Sequence, residues 1–201
     1  MHIGHNLRFF GELQHGYKTE GEGFLQTDDL DIHQAFLEIR SSTANNNNEF
    51  TFRFGRQEMK LGVGRLVDLR VGPNVRRAFD MGRATFSSDL FQMDVFYGKE
   101  AAIGLDAFDN NFTLFTEGAA TPRLWGIYNQ FPIHDNKEVS HTLEFYYLGF
   151  QSDFSAYSDV AGEETRHSIG VRSFGSLNRK FIYNTEIGRA HVWTPVTQWS
   201  R

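Results

Sequence analysis

The sequence predicts an all-β chain of antiparallel strands. Three observations carry this expectation. Apolar and polar residues alternate with period two in several segments, and short breaks bearing Gly, Asn or Ser separate those segments. Convincing helical periodicity is absent, with only Lys60 to Leu69 ambiguous. At 201 residues the chain is long enough for one domain of moderate size. Its mean hydropathy is −0.45, and no apolar run approaches the roughly 20 residues of a membrane helix, so a helical membrane protein is excluded.

The elements follow in order. Leu7, Phe9, Gly11 and Leu13 alternate with Arg8, Phe10, Glu12 and Gln14, which reads as a half-buried strand. Thr19 to Asp28, rich in Gly and acid, reads as a loop. Asp31 to Arg40 is a second strand with poorer alternation, and Ser41 to Asn48 closes it with a run of asparagines. Phe50, Phe52 and Phe54 against Thr51 and Arg53 give the cleanest alternation in the chain. Arg77 to Ser87 and Leu90 to Tyr97 flank a tight turn at Ser87-Ser88-Asp89. Ala102 to Ala120 reads as a loop. Arg123 to Phe131, Thr142 to Gln151, Arg166 to Phe174 and Phe181 to Glu186 complete a set of roughly nine strands joined as an antiparallel meander. Many approach the 9–11 residues with which a tilted strand crosses a bilayer.

Composition leaves two architectures open. Phe at 20 residues and Gly at 19, against 4 Pro, suit lipid-facing strands with aromatic girdles, and they equally suit a soluble β-sandwich. Cysteine is absent, which excludes disulfides and thiolate metal sites. The net charge of −5 argues against a general nucleic-acid binder.

Against that acidic background, Phe50 to Phe86 concentrates Arg53, Arg56, Arg65, Arg70, Arg76, Arg77 and Arg83, with Lys60, against only Glu58, Asp68 and Asp80. Arginines projecting from a sheet face make an anion-binding wall, because a guanidinium stays charged and pairs bidentately with carboxylate. The expected substrate-binding, pore-lining residues are Arg53, Arg65, Arg70, Arg76, Arg77 and Arg83. Asp68 and Asp80 are expected to orient some of them by salt bridging, while Arg56, at a strand end, reaches solvent. Arg76 and Arg77 are adjacent, so a regular strand would turn only one inward. Phe50, Phe52, Phe54, Phe91 and Tyr97 read as lipid-facing or girdle residues, and Trp125 and Tyr128 as membrane-interface residues.

Other signals carry no chemistry. The eight His show no HxH or HExxH spacing, and no metal site or other cofactor is expected. Asp106 to Asn111 lacks the spacing and terminal Glu of an EF-hand and reads as a polar surface loop. No acid–base or nucleophile constellation emerges, so no enzyme is expected.

In chain order, DLDIHQAFLEI, FRFGRQEMKLGVGRLVDLRVGPNVRRAFDMGRATF, DVFYGKE, FDNNFTLF, LWGIYNQF, LEFYYLGF and ETRHSIGVRSFG resemble the alginate export family of Gram-negative outer-membrane barrels. GRQE, GRLVDLR and GPNVRRAFD are the most specific part. The resemblance covers Asn6 to Glu186. It implies an antiparallel transmembrane β-barrel in the cell outer membrane, present here as an incomplete strand set, since family members are nearly twice as long. It implies export of an anionic exopolysaccharide, an alginate-like polyuronate, by passive diffusion. The expected partners are that polymer, outer-membrane lipid and periplasmic export machinery, with no nucleic acid. Two rival readings are a general or small-solute anion porin and a soluble periplasmic carbohydrate-binding β-sandwich.

Both ends are expected to be unnatural. Met1 to His5 lacks the basic and apolar regions of a signal peptide, which reads as an internal fragment. Ile187 to Arg201, IGRAHVWTPVTQWSR, looks like a translated sequencing adapter with a stop codon read as Trp193. The expected division is therefore a partial barrel domain at 1–186 and a non-native tail at 187–201.

Overall fold

The computed structural model describes residues 6–17, 27–43, 47–116, 121–135, 138–157, 160–178 and 180–193. They form nine strands: β1 (Leu7–Gly16), β2 (Asp28–Thr43), β3 (Asn48–Gln57), β4 (Phe79–Ser87), β5 (Gln92–Glu100), β6 (Arg123–Asp135), β7 (Val139–Tyr157), β8 (Val160–Leu177) and β9 (Phe181–Trp193). All nine lie in one sheet in the order β1 to β9, so β1 and β9 are its edges. A β-sandwich would require a second sheet, and these strands make none. No helix occurs among the described residues, and the ambiguous Lys60–Leu69 segment is a series of turns.

Several strands outrun their sequence signal. β7 spans 19 residues and β8 spans 18, because antiparallel pairing continues past the apolar alternation. β9 continues to Trp193, with Ile187 opposite Val171 and Arg189 opposite Ile169.

The chain divides into two compact units. The first comprises 1–40, 52–83 and 97–123; the second comprises 41–51, 84–96 and 124–201. In the first, β1 and β2 set Phe9 opposite Leu37 and Leu7 opposite Ile39 on one face, with Arg8 opposite Glu38 and Glu12 opposite Gln34 on the other. The apolar row is the exposed one: Phe9 is 52% exposed, whereas Glu38 is 0% exposed. Soluble proteins bury in the opposite sense. Strands that turn apolar side chains outward and polar ones inward are those of outer-membrane barrels.

Strand β3 ends at a backbone irregularity. Gly55 has φ +128°, and a Cβ there would lie 2.8 Å from the Phe36 Cα, so only glycine fits. Beyond it the 58–78 connection packs on itself, burying Met59, Leu61, Val67 and Val75. Hydrogen bonds from Leu61 N–H to Val67 O (3.1 Å) and from Arg77 N–H to Leu69 O (2.7 Å) close it. It is a compact loop built on its own apolar side chains.

The second unit repeats the inverted burial. Glu144, Glu164 and Arg172 are buried, while Ile169 is 63% exposed. Its strands fit through a recurring device. The ring of Phe96 on β5 lies over Gly126 on β6, where a Cβ would meet it at 3.0 Å. Trp125 on β6 lies over Gly149 on β7, and Tyr146 on β7 lies over Gly170 on β8, both too close for any side chain there. Tyr128 stacks on Tyr146 with centroids 5.7 Å apart.

Candidate polyanion-binding site

The arginine segment is two structures. Arg53 and Arg56 belong to β3 and Arg83 to β4, while Arg65, Arg70, Arg76 and Arg77 lie in the 58–78 connection, outside the strands. Sequence parity therefore says nothing about which way these last four face.

Glu38 is the centre of the first group. Its carboxylate accepts from Arg53 Nη2 (2.5 Å) and Nε (2.8 Å) and from Arg40 Nε (2.9 Å), and it lies 3.7 Å from Arg8 Nη1. Arg53 also sits over the Phe36 ring, 4.3 Å from its centroid. One buried acid thus serves three guanidiniums. Glu38 lies 15 residues from Arg53, and no sequence motif links the two. Nothing local in the sequence marks Arg8 and Arg40 as its other partners.

Glu100 organises the second group. It accepts from Arg70 Nη2 (2.7 Å) and Arg77 Nε (3.1 Å), both partly exposed. Arg70 adopts φ +58°, an uncommon backbone state for a residue with a side chain. Arg76 has the opposite balance, bridging Glu12 and Glu58, each at 3.0 Å. Glu58 in addition meets His33 Nε2 at 2.8 Å. Arg65 is exposed and Arg83 half-buried.

The two supporting acids each hold a cation. Asp80 binds Arg56, which is buried at 4% exposure and does not reach solvent. The pair is bidentate at 2.7 and 2.9 Å, and Thr113 adds its N–H (2.7 Å) and Oγ1 (2.9 Å) to Asp80 Oδ2. The rest of the guanidinium donates to the carbonyls of Ile32, Asn110 and Asn111. Asp68 pairs with Lys60 at 3.3 Å. The backbone N–H of Leu69 and then the Lys60 ammonium hold its carboxyl below the usual carboxylate range.

The second unit carries its own polar group. Glu144 accepts from Tyr128 OH (2.6 Å), Gln130 Nε2 (3.2 Å) and Arg172 Nη1 (2.6 Å), and Arg172 Nε donates to Asn184 Oδ1 (2.9 Å). Tyr128 is thus a buried donor on the polar face and not a membrane-interface residue.

The alginate export family profile matches residues 1–190. The chain belongs to the alginate export family. Its members are outer-membrane β-barrels that transport polysaccharide, a transport family and not an enzyme family. No curated protein and no solved structure matches the chain. Within the alginate export fold, the groups above are ion pairs of differing balance, some on strands and some in the 58–78 connection. The Glu38 and Glu100 groups each hold more guanidiniums than carboxylates.

Proposed function

We propose that this chain forms part of an outer-membrane channel through which an anionic exopolysaccharide, an alginate-like polyuronate, leaves by passive diffusion. Arg53, Arg65, Arg70, Arg76, Arg77 and Arg83 line the path, and lipid meets the opposite, apolar face. One observation carries the reading: Glu38 is shared by Arg8, Arg40 and Arg53, and Glu100 by Arg70 and Arg77. Five guanidiniums rest on two carboxylates, which leaves a local surplus of positive charge.

A shared guanidinium is a replaceable contact. A passing uronate can take up part of its donor fork while the resident acid keeps the rest. One such pair at about 4 Å is worth roughly 1 kcal/mol in water and about 4 kcal/mol near a protein surface. A row of contacts in that range attracts a polyanion without trapping it. On this reading Glu38 and Glu100 hold the forks in place and keep each well shallow.

We further propose that the sheet closes only with strands encoded beyond this chain, and that residues 187–201 are foreign to it, the family match overlapping only the first four of them, 187–190. Arg189 supports this. It lies opposite Ile169, on the apolar face, where a cation in lipid costs about 2–4 kcal/mol at the bilayer midplane. Resequencing through the codon for Glu186 tests it; a natural gene that encodes Arg189 and Trp193 overturns it.

The function is tested with the full-length channel in planar bilayers. An anion-selective current blocked by oligouronates but not by neutral oligosaccharides is expected. The block should weaken several-fold in Arg53→Ala and in the double variant Arg70→Ala, Arg77→Ala. A current indifferent to oligouronate would make the protein a small-solute anion porin.

A further inference from the structure

Three carboxylates converge where β2 begins. Asp28 and Asp31 on β2 and Asp109 in the 101–116 connection each bring an oxygen within 4.8 Å of the others. Asp28 and Asp31 are each 3% exposed. Like charges so close, and out of water, repel strongly unless one carboxyl keeps its proton or a cation sits among them. Among the described residues no Lys or Arg pairs with any of the three.

Their hydrogen bonds are incomplete in a particular way. Asp28 Oδ2 accepts from Asn110 Nδ2 (3.1 Å), but its buried Oδ1 has no partner. Asp109 Oδ2 accepts from the N–H groups of Leu105 (3.2 Å) and Asp106 (3.1 Å), while its Oδ1 is also unpartnered. Asp31 is held by the N–H groups of Ile32 (2.6 Å) and Asn110 (2.9 Å). A buried carboxylate oxygen without a donor costs about 1–3 kcal/mol or more.

We propose that Asp28, Asp31 and Asp109 form a calcium site. The donors are all oxygen, which selects a hard cation and disfavours zinc or copper. The irregular arrangement suits calcium's flexible coordination better than the near-ideal octahedron that magnesium demands. A divalent ion would offset most of the three negative charges and satisfy both bare oxygens. It would also tie β2 to a connection about 80 residues distant, the same connection whose Asn110, Asn111 and Thr113 hold Arg56 and Asp80. Sequence spacing could not reveal it, because Asp106 to Asn111 contributes only one ligand and the other two come from β2.

The test uses the complete channel purified in detergent, stripped with EGTA and titrated with CaCl2 by calorimetry. Saturable binding is expected, with Kd on the order of 10⁻⁴–10⁻³ M, the range of extracellular calcium modules. Asp109→Asn should weaken it at least ten-fold, whereas Asp29→Asn, an exposed neighbour, should not. Absence of saturable binding, equal affinity for MgCl2, or unchanged affinity in Asp109→Asn each overturns the assignment. A second readout needs no variant. Calcium should slow proteolysis within 101–116 of the unaltered channel at least several-fold, and equal cleavage with CaCl2 and EGTA would overturn the site.

Discussion

Arg56 and Arg77 sit 21 residues apart in the same arginine-rich stretch and play opposite parts. Arg56 is buried, and every arm of its guanidinium meets Asp80 or a backbone carbonyl. Arg77 is partly exposed and shares a single carboxylate with Arg70. The first pair is closed to any ligand and serves the loop it pins. The second has donors to spare. Counting arginines therefore overstates the charge a polyanion would meet; what matters is how many carboxylates they already share.

The largest effect should come from breaking the closed pair. Asp80→Ala would strand the buried Arg56 charge and should cost about 3–5 kcal/mol, read as a lowered urea midpoint. A loss below about 1 kcal/mol would mean that Arg56 escapes to solvent and that the two arginines are not different in kind. Next comes Glu100→Gln, which frees Arg70 and Arg77. Stability should change by about 1 kcal/mol or less, since partly exposed pairs contribute little. Uronate block should become several-fold stronger, opposite in sign to the arginine deletions. A weaker block in this variant would show that Glu100 positions the forks more than it neutralises them.

Salt sharpens the contrast further. Raising ionic strength from 0.15 to 1 M shortens the screening length from about 8 to about 3 Å. The block should fade several-fold across that range, while the Asp80→Ala penalty should persist, because buried pairs are screened little.

The smallest effect concerns Asp68. Its folded-state carboxyl titrates below the usual range, so its link to Lys60 and the Leu69 N–H contributes above the ordinary carboxylate value and is lost as pH falls through the lowered one. Amide protection in 60–69, taken relative to the intrinsic exchange rate at each pH, should fall only in strong acid. A fall already near pH 6 would assign the loop's order to other groups.

Period-two alternation made the strands legible, and Phe50, Phe52 and Phe54 share one exposed face while Thr51 and Arg53 turn to the other. Alternation is a local signal, so it survives in sequence. The ends of β7 and β8 were not legible, since pairing with a neighbouring strand sustains them after the pattern lapses. The arginines were visible as residues but not as pairs. Arg76 and Glu12 are 64 residues apart, and Arg70 and Glu100 are 30 apart. Arg56 was misread because its burial comes from a distant loop that folds over it. The Asp28, Asp31 and Asp109 cluster was hidden for the same reason.

The rings of Phe96, Trp125 and Tyr146, each laid over a glycine of the next strand, act as keys against strand slippage. Alternation alone forbids only odd slips, because those exchange the two faces. A slip of two residues keeps every face and would pass that check. It would, however, set Tyr146 against Ser168 or Arg172 in place of Gly170. Likewise Trp125 would meet Tyr147 or Gln151 in place of Gly149. A sheet assembled strand by strand thus carries its own proofreading, written as the pairing of a bulky residue with a missing side chain.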